Sequence, residues 1–287
     1  MWKLWQWLGY ENNTPSRTGE PETHRPFRVV FTLTTTPERL KNLRPRLLGL
    51  LEQSVRPDAV YLNLPRVCRK NGEVYHVPPR LERFFHRHRG RLVVQRDLED
   101  YGPGTKLIPT LDVETHPETR ILPVDDDVEF PRTYFEELVQ KSQEHPEVAW
   151  GYHGRDIWQG KTMALVINVK QNVQVLETVA GVVYKRSMLP ETGQEFLHLI
   201  DRHPECRLCD DILWGAWLDR QGVPRKLLPA LPMKLPLVGR KSQPARLLDA
   251  PDPLFLENID GGRNKRCYES LRGEGRPTTT TPTTQDS

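Results

Sequence analysis

The chain has 287 residues and a mass of 33.3 kDa, and its 41 basic and 38 acidic side chains leave a net charge of +3. So small an excess gives no electrostatic footprint for nucleic acid, and no nucleic-acid partner is expected. No apolar run approaches the roughly 18–20 residues of a membrane span, and four cysteines at this length set up no disulfide framework, so a reducing cytoplasm is the expected compartment.

The first residues, Met1-Trp2-Lys3-Leu4-Trp5-Gln6-Trp7-Leu8, lack the h-region and small-residue cleavage site of a signal peptide. Trp2, Trp5 and Trp7 suit either a short helix packed on the domain or a partner, or an interfacial anchor that would make the protein membrane-peripheral. A polar stretch over 11–26 reads as a linker, and Gly, Pro and Thr take over near Leu271. Residues 1–26 and a disordered tail over 271–287 therefore flank one domain at 27–270.

Within the domain, residues 27–34 are rich in β-branched and aromatic side chains and read as a buried strand. Thr36-Pro37-Glu38 then opens a helix, with a Thr cap, Pro at the first helical position and acid in the first turn. Leu40, Leu43, Leu47, Leu48, Leu50 and Leu51 continue it at helical spacing, with a kink expected at Pro45. Residues 60–64, 91–95 and 120–124 are three further strands, and 106–114 and 131–144 read as helices. This alternation predicts an α/β sandwich with a mainly parallel sheet, whose functional sites lie at the carboxyl ends of the strands. Further on, 162–169 and 173–178 alternate like an antiparallel pair joined by Lys170-Gln171-Asn172, and the run Ala180-Gly181-Val182-Val183-Tyr184 follows. Residues 208–220 form a helix with Ile212, Leu213, Ala216 and Trp217 on one face and Asp210 and Asp211 in its first turn.

Asp125-Asp126-Asp127 ends the fourth strand, and three adjacent like charges need a compensating cation. Alternate side chains point the same way, so Asp125 and Asp127 would share one divalent ion, Mg2+ or Mn2+, while Asp126 faces elsewhere. Such an ion keeps positions open for a diphosphate. A second polar cluster, residues 97–106, places Gly102-Pro103-Gly104-Thr105-Lys106 where helix amides and a lysine would attract an anion, without the spacing of a P-loop. The third is Asp210-Asp211, where a general base would face a cleft. Asn258 to Arg266 places three cations behind a Gly pair, as a lid or a solvated loop. His203-x2-Cys206-x2-Cys209 resembles half of a zinc site, with Cys68 and Cys267 remote in sequence.

Taken in order, Thr-Thr-Thr-Pro-Glu-Arg, Leu-Leu-Glu-Gln-Ser, Asp-Ala-Val-Tyr-Leu-Asn-Leu-Pro, Gly-Pro-Gly-Thr-Lys-Leu, Val-Asp-Asp-Asp, Ala-Gly-Val-Val-Tyr and Asp-Asp-Ile-Leu-Trp-Gly resemble the GT-A-fold, family 2-like glycosyltransferases. The resemblance spans residues 27–226. It implies a Rossmann-like α/β/α sandwich with a smaller antiparallel portion, a nucleotide-diphosphate sugar as donor, and a glycan, glycolipid or glycoprotein as acceptor. Thr34, Thr36 and Arg39 would border the nucleotide, and Asp97 or Asp100 would approach its base. Lys106 would neighbour the diphosphate, Asp125 and Asp127 would hold Mn2+ or Mg2+, and Asp125 with Asp126 would face the donor. Gly181, Tyr184 and Trp214 would line the sugar or the acceptor. Asp211, with Asp210 beside it, would match the acidic pair that supplies the base in inverting members. The first acid of that pair is Asp210 where Glu is usual, which leaves the base assignment open by one residue.

Other classes use a similar acidic strand end. A nucleotidylyltransferase needs a glycine-rich basic loop after its first strand, which Thr34-Thr35-Thr36-Pro37 does not supply. A phosphohydrolase, or a non-catalytic carbohydrate-binding descendant of the fold, is the remaining alternative. Retained acids at 125, 127 and 211 argue against the descendant.

Overall fold

Thr36 separates the first strand from the first helix. β1 (Val29–Thr34) gives way to α1 (Pro37–Leu40), where the Arg39 amide donates to the Thr36 hydroxyl at 3.3 Å and Pro37 opens the first turn. The helix expected to kink at Pro45 is two helices, because Pro45 sits in the first turn of α2 (Arg44–Leu51), where its missing N–H leaves nothing unpaired. The computed structural model describes residues 25–158, 161–165, 172–228 and 262–272, with the backbone alone at 157, 158 and 161–165. Trp2, Trp5 and Trp7, residues 258–261 and the tail beyond 272 lie outside them.

β2 (Ala59–Pro65), α3 (Pro79–His88), β3 (Leu92–Leu98) and β4 (Arg120–Pro123) follow as strand–helix alternation requires. The helix expected over 106–114 is instead a 3-10 turn at Gly102–Lys106 and then α4 (Ile108–Leu111), since Pro109 fits only a first turn. Next come α5 (Glu136–Glu144), β5 (Ala149–Gly151), β6 (Gly154–Trp158), β7 (Lys161–Leu165), β8 (Val175–Leu176) and β9 (Val182–Lys185). The described chain finishes with α6 (Gly193–Arg202), α7 (Asp210–Arg220), β10 (Arg225–Leu227) and α8 (Arg263–Arg272).

Among the described residues seven strands form the main sheet, in the order β10-β5-β9-β4-β1-β2-β3. Every neighbouring pair is parallel except at β9, which runs against both β4 and β5. The antiparallel pair expected over 162–178 is not one pair. β7 and β8 each pair with β6, a strand the sequence reading missed, and Asn172 bridges to Lys226. The fold is thus a Rossmann-like sandwich with a small antiparallel sheet, as expected.

Alternation along β1 divides the interior in two. Val29, Phe31 and Leu33 pack with Leu47 of α2, Phe84 of α3 and Leu138 of α5, whereas Val30 faces the core built from Leu111, Phe196, Leu213 and Trp214. The second core is sealed by α8, whose Cys267 is fully buried and forms a disulfide with Cys206. The expectation that the cysteines set up no disulfide framework is corrected here: tertiary packing closes one pair across a sequence separation of 61 residues. It also removes Cys206 from any zinc set and the cysteine argument for a reducing compartment, since disulfides persist in oxidising ones. His203 Nδ1 to Ser270 Oγ, at 2.5 Å, ties the same helix down a second time. Leu271, where the tail was expected to begin, is buried at the end of α8. Among the described residues no helix is long and apolar enough to cross a membrane.

Candidate active site

At the carboxyl rim of the sheet, the Val124 amide still bonds to the Thr32 carbonyl at 3.0 Å, and the three aspartates leave β4 immediately afterwards. Their carboxylates turn to different neighbours. Lys106 Nζ donates to Asp125 Oδ1 at 2.5 Å. Thr35 Oγ1 donates to Asp126 Oδ2 at 2.5 Å, and Arg39 Nη1 to Asp126 Oδ1 at 2.7 Å. Arg39 Nη1 also stands 3.2 Å from Asp127 Oδ2, whose side chain is 48% exposed. Enclosure by protein, and then the charge of Asp125, raise Asp127 to about 6, with Arg39 opposing. Two side-chain cations, Lys106 and Arg39, thus meet the charge of the triplet.

Lys106 was expected at a diphosphate, but its buried ammonium is held by protein. It donates to Thr178 Oγ1 at 2.8 Å as well as to Asp125, and lies 3.1 Å from Asp210 Oδ2. Burial pulls its pKa down, yet Asp125, Asp210 and Asp211 outweigh that and hold it well above the ordinary lysine value. Its backbone is fixed from β2 and β1. Asn63 Nδ2 donates to the carbonyls of Thr105 at 3.0 Å and Lys106 at 3.1 Å, and the Thr32 hydroxyl donates to the Lys106 carbonyl.

Thr178 joins this lysine to the base candidate. Its amide and hydroxyl donate to Asp211 Oδ1 at 3.2 and 2.9 Å. Burial, then neighbouring Asp210, push the Asp211 carboxyl well above the usual carboxylate range, with Lys106 opposing. Asp210 is buried, while Asp211 retains partial exposure.

The other candidates divide into those at the rim and those behind it. Thr34 Oγ1 donates to the Asn63 carbonyl at 2.8 Å and Thr36 caps α1, so both hydroxyls serve the backbone. Asp97 is exposed on β3 at a positive φ of 56°, and Asp100 accepts from the amides of Gly102 and Arg69, each at 2.7 Å, shaping the 3-10 turn. Tyr184 and Trp214 are corrected: both are fully buried, and Trp214 stacks on Phe196 with centroids 3.6 Å apart, so neither ring faces a sugar. Gly181 is buried at a φ of 89°, where a Cβ would come within 2.8 Å of Phe135 Cε1, so packing and backbone both demand glycine. Thr35 lay within the 34–39 stretch expected to border the nucleotide, whereas Asn63 and Thr178 escaped the sequence reading. Only Asn63 carried a signal, as a polar residue inside an apolar strand.

Among the described residues no group of three or more His, Cys, Asp or Glu side chains is arranged around a metal. Asp125 and Asp127 offer hard carboxylate oxygens of the kind a divalent cation takes, with Asp127 48% exposed and Asp125 already held by Lys106 at 2.5 Å. An ion there would complete its shell from water and phosphate, as Mg2+ commonly does.

Rim, sheet order and lone antiparallel strand together define a GT-A-like fold. No family model matches the chain, and no curated protein matches it. Among solved structures it superposes on GalNAc-T7 with UDP, GalNAc and Mn2+ at a TM-score of 0.52 and 9% identity, over 71% of this chain. The chain spans 42% of that structure's length. A CMP:2-keto-3-deoxy-manno-octonic acid synthetase complexed with CTP aligns at a TM-score of 0.43 and 13% identity, over 70% of this chain and 88% of that one. The first of these shows the fold alone.

Proposed function

We propose that this protein is a glycosyltransferase that moves a sugar from a nucleotide-diphosphate donor to an acceptor hydroxyl with inversion. The observation that carries the reading is the continuous run of contacts Asp125–Lys106–Thr178–Asp211 along the carboxyl rim, with Arg39, Asp126 and Asp127 beside it. Asp125 and Asp127 would hold Mn2+ or Mg2+, which when bound neutralises negative charge growing on the departing diphosphate.

The chain's own groups do the rest. Arg39 fixes Asp126 and so orients the acids on either side of it. Lys106 keeps Asp125 and Asp210 at a set separation without rearrangement during turnover. Asp211 accepts the proton of the acceptor hydroxyl as that oxygen attacks the anomeric carbon from the face opposite the leaving group. Burial and the charge of Asp210 raise the Asp211 pKa above the usual carboxylate range, which makes it a stronger base than a solvated aspartate. Thr178 holds Oδ1 and leaves Oδ2 to take the proton.

The test is to incubate the full chain with Mn2+ and a panel of nucleotide-diphosphate sugars and to identify products by mass spectrometry. Release of a nucleoside diphosphate with sugar transferred or hydrolysed supports the reading. Pyrophosphate formed from a nucleoside triphosphate and a sugar or sugar phosphate would mark a nucleotidylyltransferase, and no turnover with any donor overturns the enzyme.

A further inference from the structure

Around the base candidate the acids are compensated pair by pair. Asp125 and Asp210 share Lys106, at 2.5 and 3.1 Å, and Asp126 and Asp127 share Arg39, at 2.7 and 3.2 Å. Glu177 takes Arg155 Nε at 2.6 Å, and both side chains are buried. Asp211 is the exception: among the described residues it forms no ion pair, and the amide and hydroxyl of Thr178 hold it instead. Burying an ion pair costs each charge its water, so such a pair adds little net stability. Arg155 and Glu177 therefore call for a reason to be there, and neither belongs to the run Asp125–Lys106–Thr178–Asp211.

The small sheet places the pair. β6 and β8 run antiparallel, with Gly154 opposite Leu176 and Arg155 opposite Val175. A Cβ on Gly154 would come within 2.7 Å of the Val175 carbonyl oxygen, so glycine lets the strands close. The Glu177 amide donates to the His153 carbonyl at 3.0 Å, which carries the pairing one residue past β8. Glu177 is still extended, at φ −104° and ψ 116°, and Thr178 then starts a 3-10 turn through Ala180. The side chain of Glu177 is thus clamped to β6 immediately before the residue that donates twice to Asp211. Charge matters as well as position. Asp210 of the same helix, Glu177 and Asp125 act on Asp211 as like charges, Lys106 opposes them, and the buried Tyr184 phenol on β9 stays neutral beside the two acids.

We propose that Arg155 and Glu177 are positioning residues for Asp211. Their buried ion pair fixes the turn that presents Thr178 to the base. It also compensates the carboxylate next to that turn, so that Lys106 stays with Asp125 and Asp210. Neither residue touches the reacting atoms. The small antiparallel sheet thereby becomes the frame of the base, while β4 carries Asp125 to the same rim. The inference rests on the reading of Asp211 as the base. Its sign is set by charge. Without Arg155, Glu177 is an uncompensated anion near Asp211 and disfavours its ionisation, whereas a neutral residue at 177 leaves the Arg155 cation to favour it.

A carboxyl-carbon NMR titration of the full chain tests it without any substrate, with the Asp211 signal assigned by its loss in Asp211→Asn. Arg155→Met should raise the Asp211 midpoint by about one pH unit, and Glu177→Gln should lower it by a similar amount. The double variant Arg155→Met with Glu177→Gln should return the midpoint to the wild-type position, and Arg155→Lys, which keeps the charge, should leave it there. If Arg155→Met does not fold, Glu177→Gln and Arg155→Lys carry the same test. Release of nucleoside diphosphate from the donor panel with Mn2+ is the second readout, and the acid limb of kcat/KM should move in the same directions. A midpoint unmoved in the single variants overturns the proposal, because a merely structural pair lowers Tm without touching the titration. A double variant that stays displaced overturns it as well. Midpoints that move as stated in a protein that releases no nucleoside diphosphate leave the hold on Asp211 standing and sink the reading of Asp211 as a base.

Discussion

Lys106 Nζ lies 2.5 Å from Asp125 Oδ1, tying the turn after β3 to the acids after β4. The same ammonium faces Asp210 at 3.1 Å, so one buried cation sits between two carboxylates from distant parts of the chain. Such a cation does more by its presence than its net energy suggests, because removing it strands charge in a poorly solvated place.

Lys106→Met should therefore lower stability by about 3–5 kcal/mol, read as a depressed Tm. The sign with pH is set by the raised lysine pKa: its contribution is complete below the ordinary value of 10.5 and is lost only as pH rises past the higher folded value. The gap in Tm between wild type and variant should be flat over about pH 6–9. A variant that melts like wild type would show that the ammonium is not the counter-ion.

Asp211→Asn should raise Tm while abolishing turnover. The folded Asp211 pKa lies above its unfolded value, so ionising it opposes folding, and that penalty grows as pH rises through the unfolded value. Asparagine keeps an oxygen for Thr178 and removes the charge. The gain should be visible at neutral pH and vanish below about pH 3, where the wild-type group is protonated in both states. Donor binding should remain. Full activity in the variant would exclude Asp211 as base.

Asn63→Ala should cost about 1–3 kcal/mol, because the buried carbonyls of Thr105 and Lys106 each lose a donor. The turn that carries Lys106 then loosens, and KM for the donor should rise more than kcat falls. Equal loss in both would place the effect in the chemical step instead.

Reduction, or the pair Cys206→Ser and Cys267→Ser, should destabilise by about 4 kcal/mol on the chain-entropy relation for a loop of this size. Thermal melts with and without dithiothreitol measure it. The double variant should lose all sensitivity to reductant, leaving Cys68 and Cys209 as buried thiols.

Much of the parallel half of the sheet was legible because its strands are short apolar runs, and a buried strand leaves that mark whatever its neighbours are. β6 was missed because Gly154-Arg155-Asp156-Ile157-Trp158 has no apolar alternation; its partners lie on either side of it in space. Tyr184 and Trp214 misled for the opposite reason: an aromatic ring reads the same in a sequence whether it faces a sugar or, as with Trp214, stacks on Phe196.

By composition and pattern alone, the chain determined that an α/β sandwich would form and that acids would stand at its carboxyl rim, since both follow from local periodicity and from where strands stop. Tertiary structure alone decided which cation each acid meets, which aromatics sink into the core, and that Cys206 finds Cys267. Those outcomes depend on contacts between residues far apart in sequence, and charge repulsion within Asp125–Asp127 states the need for a counter-ion without naming Lys106 or Arg39 as the groups that supply it.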